Sequence, residues 1–293
     1  MTGAAMKSST GAETEAGLAE LTALARAYEP ERYLAATLAP KPQQAVLIVL
    51  AAYAADLQRI PATATQPMLG EIRLQWWRDS LELIAKGSRI GSPLADALGT
   101  AIRTYDLPLP LLVAMSEARA WELYDDPMSD QAALDGYLSK TEAVPFELAL
   151  RMLGMPAGDA GALSQPAGRL FGMTRLLARL PVHLAAGRQP FPETILAPYG
   201  ISAETLLTGN VTAEIRRMIV ALADDIAAGL AALRPQLRAL SRIERVALLP
   251  LAALPPYLGT IVGQSRDPVR DVADLAPLAR LWRIAGGHVL GRI

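Results

Sequence analysis

The sequence predicts an all-helical protein, and three observations carry that prediction. Alanine and leucine dominate, β-branched and aromatic residues are sparse, and no stretch alternates apolar with polar side chains for long. Apolar residues make up 52% of the 293 positions and charged ones 19%, enough material for one large core. Connections between periodic segments are short and nothing linker-like divides the chain. Residues 17–293 therefore read as one domain, although length alone would permit two.

Residues 1–16 are small and polar, with Lys7, Glu13 and Glu15, and read as a disordered leader. They lack the apolar segment of a secretion signal, and two glutamates without an arginine argue against an organelle transit peptide; a bacterial cytoplasmic setting fits. The first helix begins near Thr14, carries Leu18, Leu21 and Leu24 on one face, and ends before Pro30. A short helix through Tyr33 follows. Pro42 suits a first helical turn, and Ala45 to Leu57 is apolar nearly all round, as in a helix enclosed by others, with Pro61 as its stop. The uncharged run from Pro42 to Ala55 has 14 residues, short of the roughly 20 that span a bilayer. Pro67 opens a helix in which Met68, Ile72, Trp76 and Leu83 share a stripe, and Lys86 with Gly87 closes it. Helices are expected from Pro93 to Thr104, Leu109 to Leu123, Asp130 to Leu153 and Asp159 to about Ala185, with a kink at Pro181. Gly187 to Tyr199, with three prolines, reads as a loop. Thr212 caps a long helix through Ala232, Ser241 and Glu244 form a capping-box pair ahead of Val246, Leu248 and Leu249, and the last helix begins near Pro277.

Composition removes several function classes. The formal charge of −1 gives no attraction to nucleic acid. With no cysteine, disulfide scaffolds, thiolate metal sites, iron–sulfur ligation and a cysteine nucleophile are excluded. His183 and His288 are the two histidines, and they have no metal-ligand spacing. There is no repeat period, glycine-rich phosphate loop, nucleophile elbow or zinc helix. Mean hydropathy is positive, +0.23, which leaves room for peripheral membrane contact through an exposed apolar face.

Five stretches carry a resemblance: RYLAATLAP from Arg32, VLIVLAAYAADL from Val46, PMLGEIRLQWWRDSLELI from Pro67, LDGYLSKTEAVPFELALRMLG from Leu134 and GRLFGMTRLLARLPVHLAAGRQPFPETIL from Gly168. Together they resemble the squalene/phytoene synthase family, in order and in spacing, with the double-tryptophan helix the most specific piece. The resemblance implies an isoprenoid-synthase-type helical bundle around a central cavity. Enzymes of the family join two prenyl diphosphates. Magnesium ions neutralise the departing pyrophosphate, held by carboxylates at i, i+4 on facing helices.

The chain departs from the family at both metal motifs. In the first window, AADLQRIPATA, Asp56 is the only acid, and Arg59 and Thr63 stand where aspartates are expected. In the second, RLLARLPVH, Arg175, Arg179 and His183 occupy the places of an asparagine and two aspartates. Cations in place of acids invert the field that attracts magnesium. The pattern, with RLQWWRD from Arg73 to Asp79, is similar to a noncatalytic branch that includes a mitochondrial respiratory complex I assembly factor and alphaproteobacterial relatives. That resemblance implies a cytoplasmic, non-enzymatic factor without a cofactor, acting on a respiratory complex subunit or assembly intermediate, at or near the inner membrane. Two alternatives stay open. One is a prenyltransferase with a displaced magnesium site using Asp56 and other acids; the other is a metal-free binder of isoprenoid or anionic lipid. Fewer than three carboxylates facing the cavity would leave magnesium without a cage.

The candidate cavity residues are Tyr53, Arg59, Arg73, Trp76, Trp77, Tyr137, Arg175, Arg179 and His183. For Trp76 and Trp77, core packing is the commoner use. Arg175, Arg179 and His183 fall at i, i+4 and i+8, so they either face a cavity and bind an anion or form a solvated face. Asp125, Asp126 and Asp130 mimic a metal motif but read as a loop and a helix cap. Adjacent Asp224 and Asp225 read as surface, and Lys140 with Glu142 as a surface ion pair.

Overall fold

A computed structural model describes residues 17–124, 126–291 and 293, so the expected leader and Asp125 lie outside the described residues. Among the described residues the regular structure is helical, with no strand. α1 (17–28) and α2 (Pro30–Thr37) meet at Glu29, which Pro30 holds out of the helical region at φ −131°, ψ 53°. α3 (Lys41–Thr63) is the inner helix, packed on α2, α4 (Pro67–Ala85), α5 (Pro93–Tyr105) and α8 (Val144–Met152). α6 (Leu109–Ala118) tightens into a 3₁₀ turn, Arg119–Leu123. Asp130 caps α7 (Gln131–Leu138) by accepting from the Ala133 N–H at 2.8 Å. α7 then widens into a π turn, Ser139–Ala143, before running on as α8.

α9 (Ala157–Ala178) packs against the π turn, α8, α13 (Ala213–Ala239) and α15 (Leu254–Ile261). Its contact with the π turn is so close that a Cβ on Gly168 would lie 2.3 Å from the Ala143 Cα, so only glycine fits that crossing. α10 (Leu180–Ala185), α11 (Glu193–Leu196) and α12 (Ala203–Leu207) are short. α14 (Arg245–Leu248) leads through a 3₁₀ turn into α15, and α16 (Pro277–Leu290) lies on α2 and that turn.

The caps expected from sequence are present. Thr212 accepts from the Ile215 N–H, and Ser241 and Glu244 close a reciprocal capping box at 2.9 and 3.2 Å. Elsewhere the boundaries differ for physical reasons. Pro61 lies inside α3: it forgoes one bond, to the Leu57 carbonyl, and the helix continues to Thr63. Pro235 is likewise inside α13, which runs to Ala239 because Leu233 and Leu237 are buried beyond the expected end. Residues 187–199 are not all loop, since Pro192 precedes α11 and a 3₁₀ turn, Ala197–Tyr199. The α9–α10 junction breaks at Arg179, two residues before Pro181, whose missing N–H leaves the Leu177 carbonyl without its helical donor.

The stripe of Met68, Ile72, Trp76 and Leu83 faces outward. The core face of α4 is Gly70, Leu74, Trp77, Leu81 and Ile84, one notch round the helix. By length and composition α3 is the one helix among the described residues that could cross a membrane, and 61% of its most apolar window is buried inside the fold.

Candidate functional site

The interior holds three arginines and three glutamates in one continuous network. Glu29 is released from capping α2 and turns inward, where its two oxygens take Arg32 Nη1 at 2.6 Å and Arg175 Nη1 at 2.7 Å. Arg175 also donates to Gln58 Oε1 at 2.7 Å. The π turn aims Glu142 at the same point: its Oε2 accepts from Arg32 Nη2 at 2.9 Å, and its Oε1 lies 3.7 Å from Arg119 Nη2. Arg119 in turn donates to Glu122 Oε1 at 2.7 Å, an oxygen that also accepts from the Tyr137 hydroxyl at 2.7 Å. Phe146 and Phe171, packed edge to face, both border the Arg32 guanidinium, with ring centres 5.0 and 4.8 Å away.

Protonation states follow from this geometry. Burial alone would raise the Glu29 pKa, but Arg175 and Arg32 override it and hold the carboxyl far below the usual range. Glu122 is lowered in the same way, against burial, by Arg119 and Tyr137. Burial and then the Glu122 charge hold the Tyr137 phenol above its ordinary value. Glu29 and Glu122 are thus ionised, each already opposed by a fixed cation, while the Tyr137 phenol keeps its proton.

A chamber of two lobes adjoins the network, and Arg175, Arg179 and Val182 line both. The polar lobe, about 310 Å³, is bordered by Gln58, Arg119, Glu122, Tyr137, Glu142, His183 and Arg188. The other, about 320 Å³, lies against Tyr28, Phe171, Leu254, Tyr257 and Val272. Its acid Glu31 forms an ion pair with Arg280 Nε at 2.7 Å and accepts from the Tyr257 hydroxyl at 2.9 Å, and Asp274 pairs with the same arginine at 2.6 Å.

Four of the sequence candidates, Tyr137, Arg175, Arg179 and His183, meet at the polar lobe. The other five lie elsewhere. Arg59, Trp76 and Trp77 border another depression, about 510 Å³, with Asp56; it shares Tyr28 with the second lobe. There Arg59 stacks on Tyr28 at 4.9 Å, and the buried Trp77 donates its indole N–H to Asp56 at 2.8 Å. Trp76 is 41% exposed, so core packing holds for one tryptophan of the pair. Arg73 lies on the surface, 3.8 Å from Asp56. Tyr53 is fully buried, donates to the Leu112 carbonyl at 2.9 Å and lines neither lobe. Glu142 corrects the surface-pair reading, because it is buried among three arginines while Lys140 is exposed.

Sequence reasoning missed Glu29, Arg32, Arg119 and Glu122. One signal was available for the pattern: Leu134, Leu138, Glu142 and Phe146 form an i, i+4 row in which a lone acid interrupts apolar side chains. The acids near the chamber are not fewer than three, so a bare count does not decide the magnesium question; the donor set does. Glu29, Glu122 and Glu142 are each bonded to guanidinium groups, Asp56 faces Trp77 and Arg73, and no group of three His, Asp or Glu able to hold a metal occurs among the described residues. The residues present do not fit a magnesium cluster.

Residues 25–282 match the sequence profile of the squalene/phytoene synthase family. Among characterised proteins, the chain is similar to human NADH dehydrogenase (ubiquinone) complex I, assembly factor 6. Identity is 24% over 202 residues, covering 69% of this chain and 61% of the relative, so the match spans less than two thirds of that protein. It is also similar to presqualene diphosphate synthase of Rhodopseudomonas palustris, 25% identical over 173 residues, 58% of this chain and 61% of the relative. In structure it is similar to a ligand-bound dehydrosqualene synthase, with a TM-score of 0.77, 14% identity and coverage of 94% and 97% of the two chains. A squalene synthase from Alicyclobacillus acidocaldarius superposes with a TM-score of 0.69 at 17% identity, covering 96% of each. These likenesses identify the fold.

Proposed function

Because the chain belongs to the squalene/phytoene synthase family, we propose that it is a non-enzymatic branch of that family which supports assembly of respiratory complex I. One observation carries the non-enzymatic half: Glu29, Glu122 and Glu142, the acids of the network beside the polar lobe, are each paired with arginine rather than free to gather magnesium for diphosphate ionisation. The assembly half is supported by the likeness to assembly factor 6 of human complex I.

The place of action in this reading is the cytoplasmic surface of a bacterial inner membrane. What supports it is α16, where Leu278, Leu281, Trp282 and Val289 are exposed and Trp282 keeps 74% of its surface free. Arg283 is exposed on the same helix, and Arg242 lies 3.4 Å from His288 near its end. An apolar stripe flanked by arginines suits anionic lipid head groups.

The test is twofold. Deleting the gene in its host is expected to lower assembled complex I on native gels and NADH-driven quinone reduction, with recovery from a plasmid copy. Purified protein with farnesyl or geranylgeranyl diphosphate and magnesium is expected to release no pyrophosphate above the blank. Turnover would overturn the non-enzymatic half, and unchanged complex I the other.

A further inference from the structure

Two helices leave large apolar side chains on the outside, and their surroundings differ in charge. The α16 stripe stands beside arginines, and that helix contains no acid. On α4, Met68, Leu69, Ile72, Trp76 and Leu83 keep between 41% and 64% of their surface free, although Leu74, Trp77, Leu81 and Ile84 already anchor the helix in the core. Folding therefore does not use the outer row. Positions 69, 72, 76, 79 and 83 advance by alternate steps of three and four, the spacing of a seam along which a second helix can lie. The one polar member is Asp79.

Glu71, Gln75, Asp79 and Glu82 follow one another at i, i+4, i+8 and i+11, so one flank of the seam is acidic. None of these three acids joins an ion pair among the described residues: Asp79 accepts from Gln75 at 2.6 Å and Glu71 from the Tyr124 hydroxyl at 3.4 Å. The cations of α4 do not neutralise that flank. Arg73 lies on the other one, 3.8 Å from Asp56, Arg78 donates to Gln75 at 2.7 Å, and Lys86 is the C-cap. Trp76 also walls the depression of about 510 Å³ shared with α1, where Leu24 and Tyr28 border it, so a hollow adjoins the middle of the seam.

We propose that the outer face of α4 is a docking site for an amphipathic helix of a partner protein, one whose apolar ridge is edged by lysine or arginine. The ridge lies along the seam, a basic side chain answers Asp79, and the hollow beside Trp76 takes one large apolar anchor. Other occupants suit the face less. The acidic flank repels an anionic bilayer. A second copy of this chain meets like charge in either two-fold arrangement: a parallel pairing sets the two Asp79 carboxylates together, and an antiparallel one lays each acidic flank along its equal.

That the partner belongs to a respiratory complex rests on the proposed assembly role; the docking surface itself does not. Fluorescence anisotropy of the full chain with two labelled synthetic peptides tests it, one a leucine-ridged amphipathic helix edged by lysines and the other the same helix edged by glutamates. The lysine peptide is expected to bind saturably and about tenfold or more tighter than the glutamate peptide, the gap narrowing as salt rises. Ile72→Ser combined with Leu83→Ser should weaken the lysine peptide about tenfold or more. Both side chains are exposed, so that variant should keep the parent's melting temperature and its sedimentation with phosphatidylglycerol vesicles. Asp79→Lys combined with Glu82→Lys should reverse the order of the two peptides, which non-specific adhesion cannot do. No saturable binding, equal affinity for the two peptides, undiminished binding in the serine variant, or an order that the lysine substitutions fail to reverse would overturn the proposal. So would loss of vesicle binding in the serine variant, which gives the face to lipid, or a dimer in sedimentation equilibrium that the same variant dissolves, which gives it to a second copy. Unchanged complex I after gene deletion would instead overturn the assembly reading and leave the docking site standing.

Discussion

Arg175 reaches across 146 positions of sequence to place its Nη1 2.7 Å from Glu29 Oε1, so the junction of α1 and α2 is pinned to the last turn of α9. Glu29 is 1% exposed, and its other oxygen is already bonded to Arg32. Glu29 has no water to fall back on, whereas Arg175 keeps 20% of its side chain exposed where it borders the chamber.

Breaking that pair from one side should be costly. Glu29→Ala leaves Arg175 and Arg32 short of an anion in a buried setting, and the expected loss is about 3–5 kcal/mol, read from denaturant midpoints. Glu29→Gln keeps the shape but not the charge and should fall between that variant and the parent. A parent-like midpoint for both would mean that the network contributes nothing to stability.

Acid should unfold the protein in two stages. The Glu29 and Glu122 carboxyls have folded pKa values below their ordinary 4.5, and His183 below its ordinary 6.5. In each case the unfolded chain binds the proton more readily, so stability is full above the ordinary value and falls as pH drops through the folded one. Melting temperature should be flat above about pH 6.5, decline gently below it as the His183 contribution is lost, and drop steeply below about pH 4.5 as the carboxyl contribution goes. The His288 pKa is lowered as well, by burial and then Arg242, so His183→Asn combined with His288→Asn should remove the first stage alone. A melting temperature that rises on acidification from pH 6 to 4 would contradict this.

The crossing of α9 with the π turn permits no side chain. Gly168→Ala would press a methyl against the Ala143 backbone, which cannot rotate away, and the expected loss is about 1–3 kcal/mol or more. Gly158→Ala, in the same helix but with open space around it, should be neutral or stabilise by up to about 1 kcal/mol. Thermal melts of the two variants side by side measure the contrast.

The outer face of α16 should be expendable for folding but not for membrane contact. Trp282→Ser combined with Leu278→Ser removes two exposed apolar side chains, and sedimentation with phosphatidylglycerol-rich vesicles should fall several-fold while the melting temperature stays within a degree or two. The parent's binding should weaken with salt, since Arg283 contributes through charge.

Helices and caps were legible in the sequence because they are local. Thr212, Asp130 and the Ser241–Glu244 box each act within one turn, and each is found in place. Boundaries set by burial were not. Pro61 read as a stop and Ala232 as an end, yet neighbouring apolar side chains hold both helices together beyond them, past Pro61 and Pro235. The stripe through Met68 and Trp76 was read without knowing which side of α4 met the core, and tight packing chose the face with Gly70 and Trp77. Arg175, Arg179 and His183 were visible as cations in a patterned window, whereas Glu29 and Glu122 were not. Their role arises from partners up to 146 positions away, and no local spacing reports such a pairing.

A folding order follows from where the paired groups sit along the chain. Glu29 leaves the ribosome early, and its partner on α9 emerges only after more than half of the polypeptide has been made. Until then Glu29 has only Arg32 to oppose it and its other oxygen must stay hydrated, so the amino-terminal helices cannot finish docking by themselves. The last step of burial is thus a handshake between distant segments, and nascent chains arrested before α9 should stay loose and easily cut by proteases.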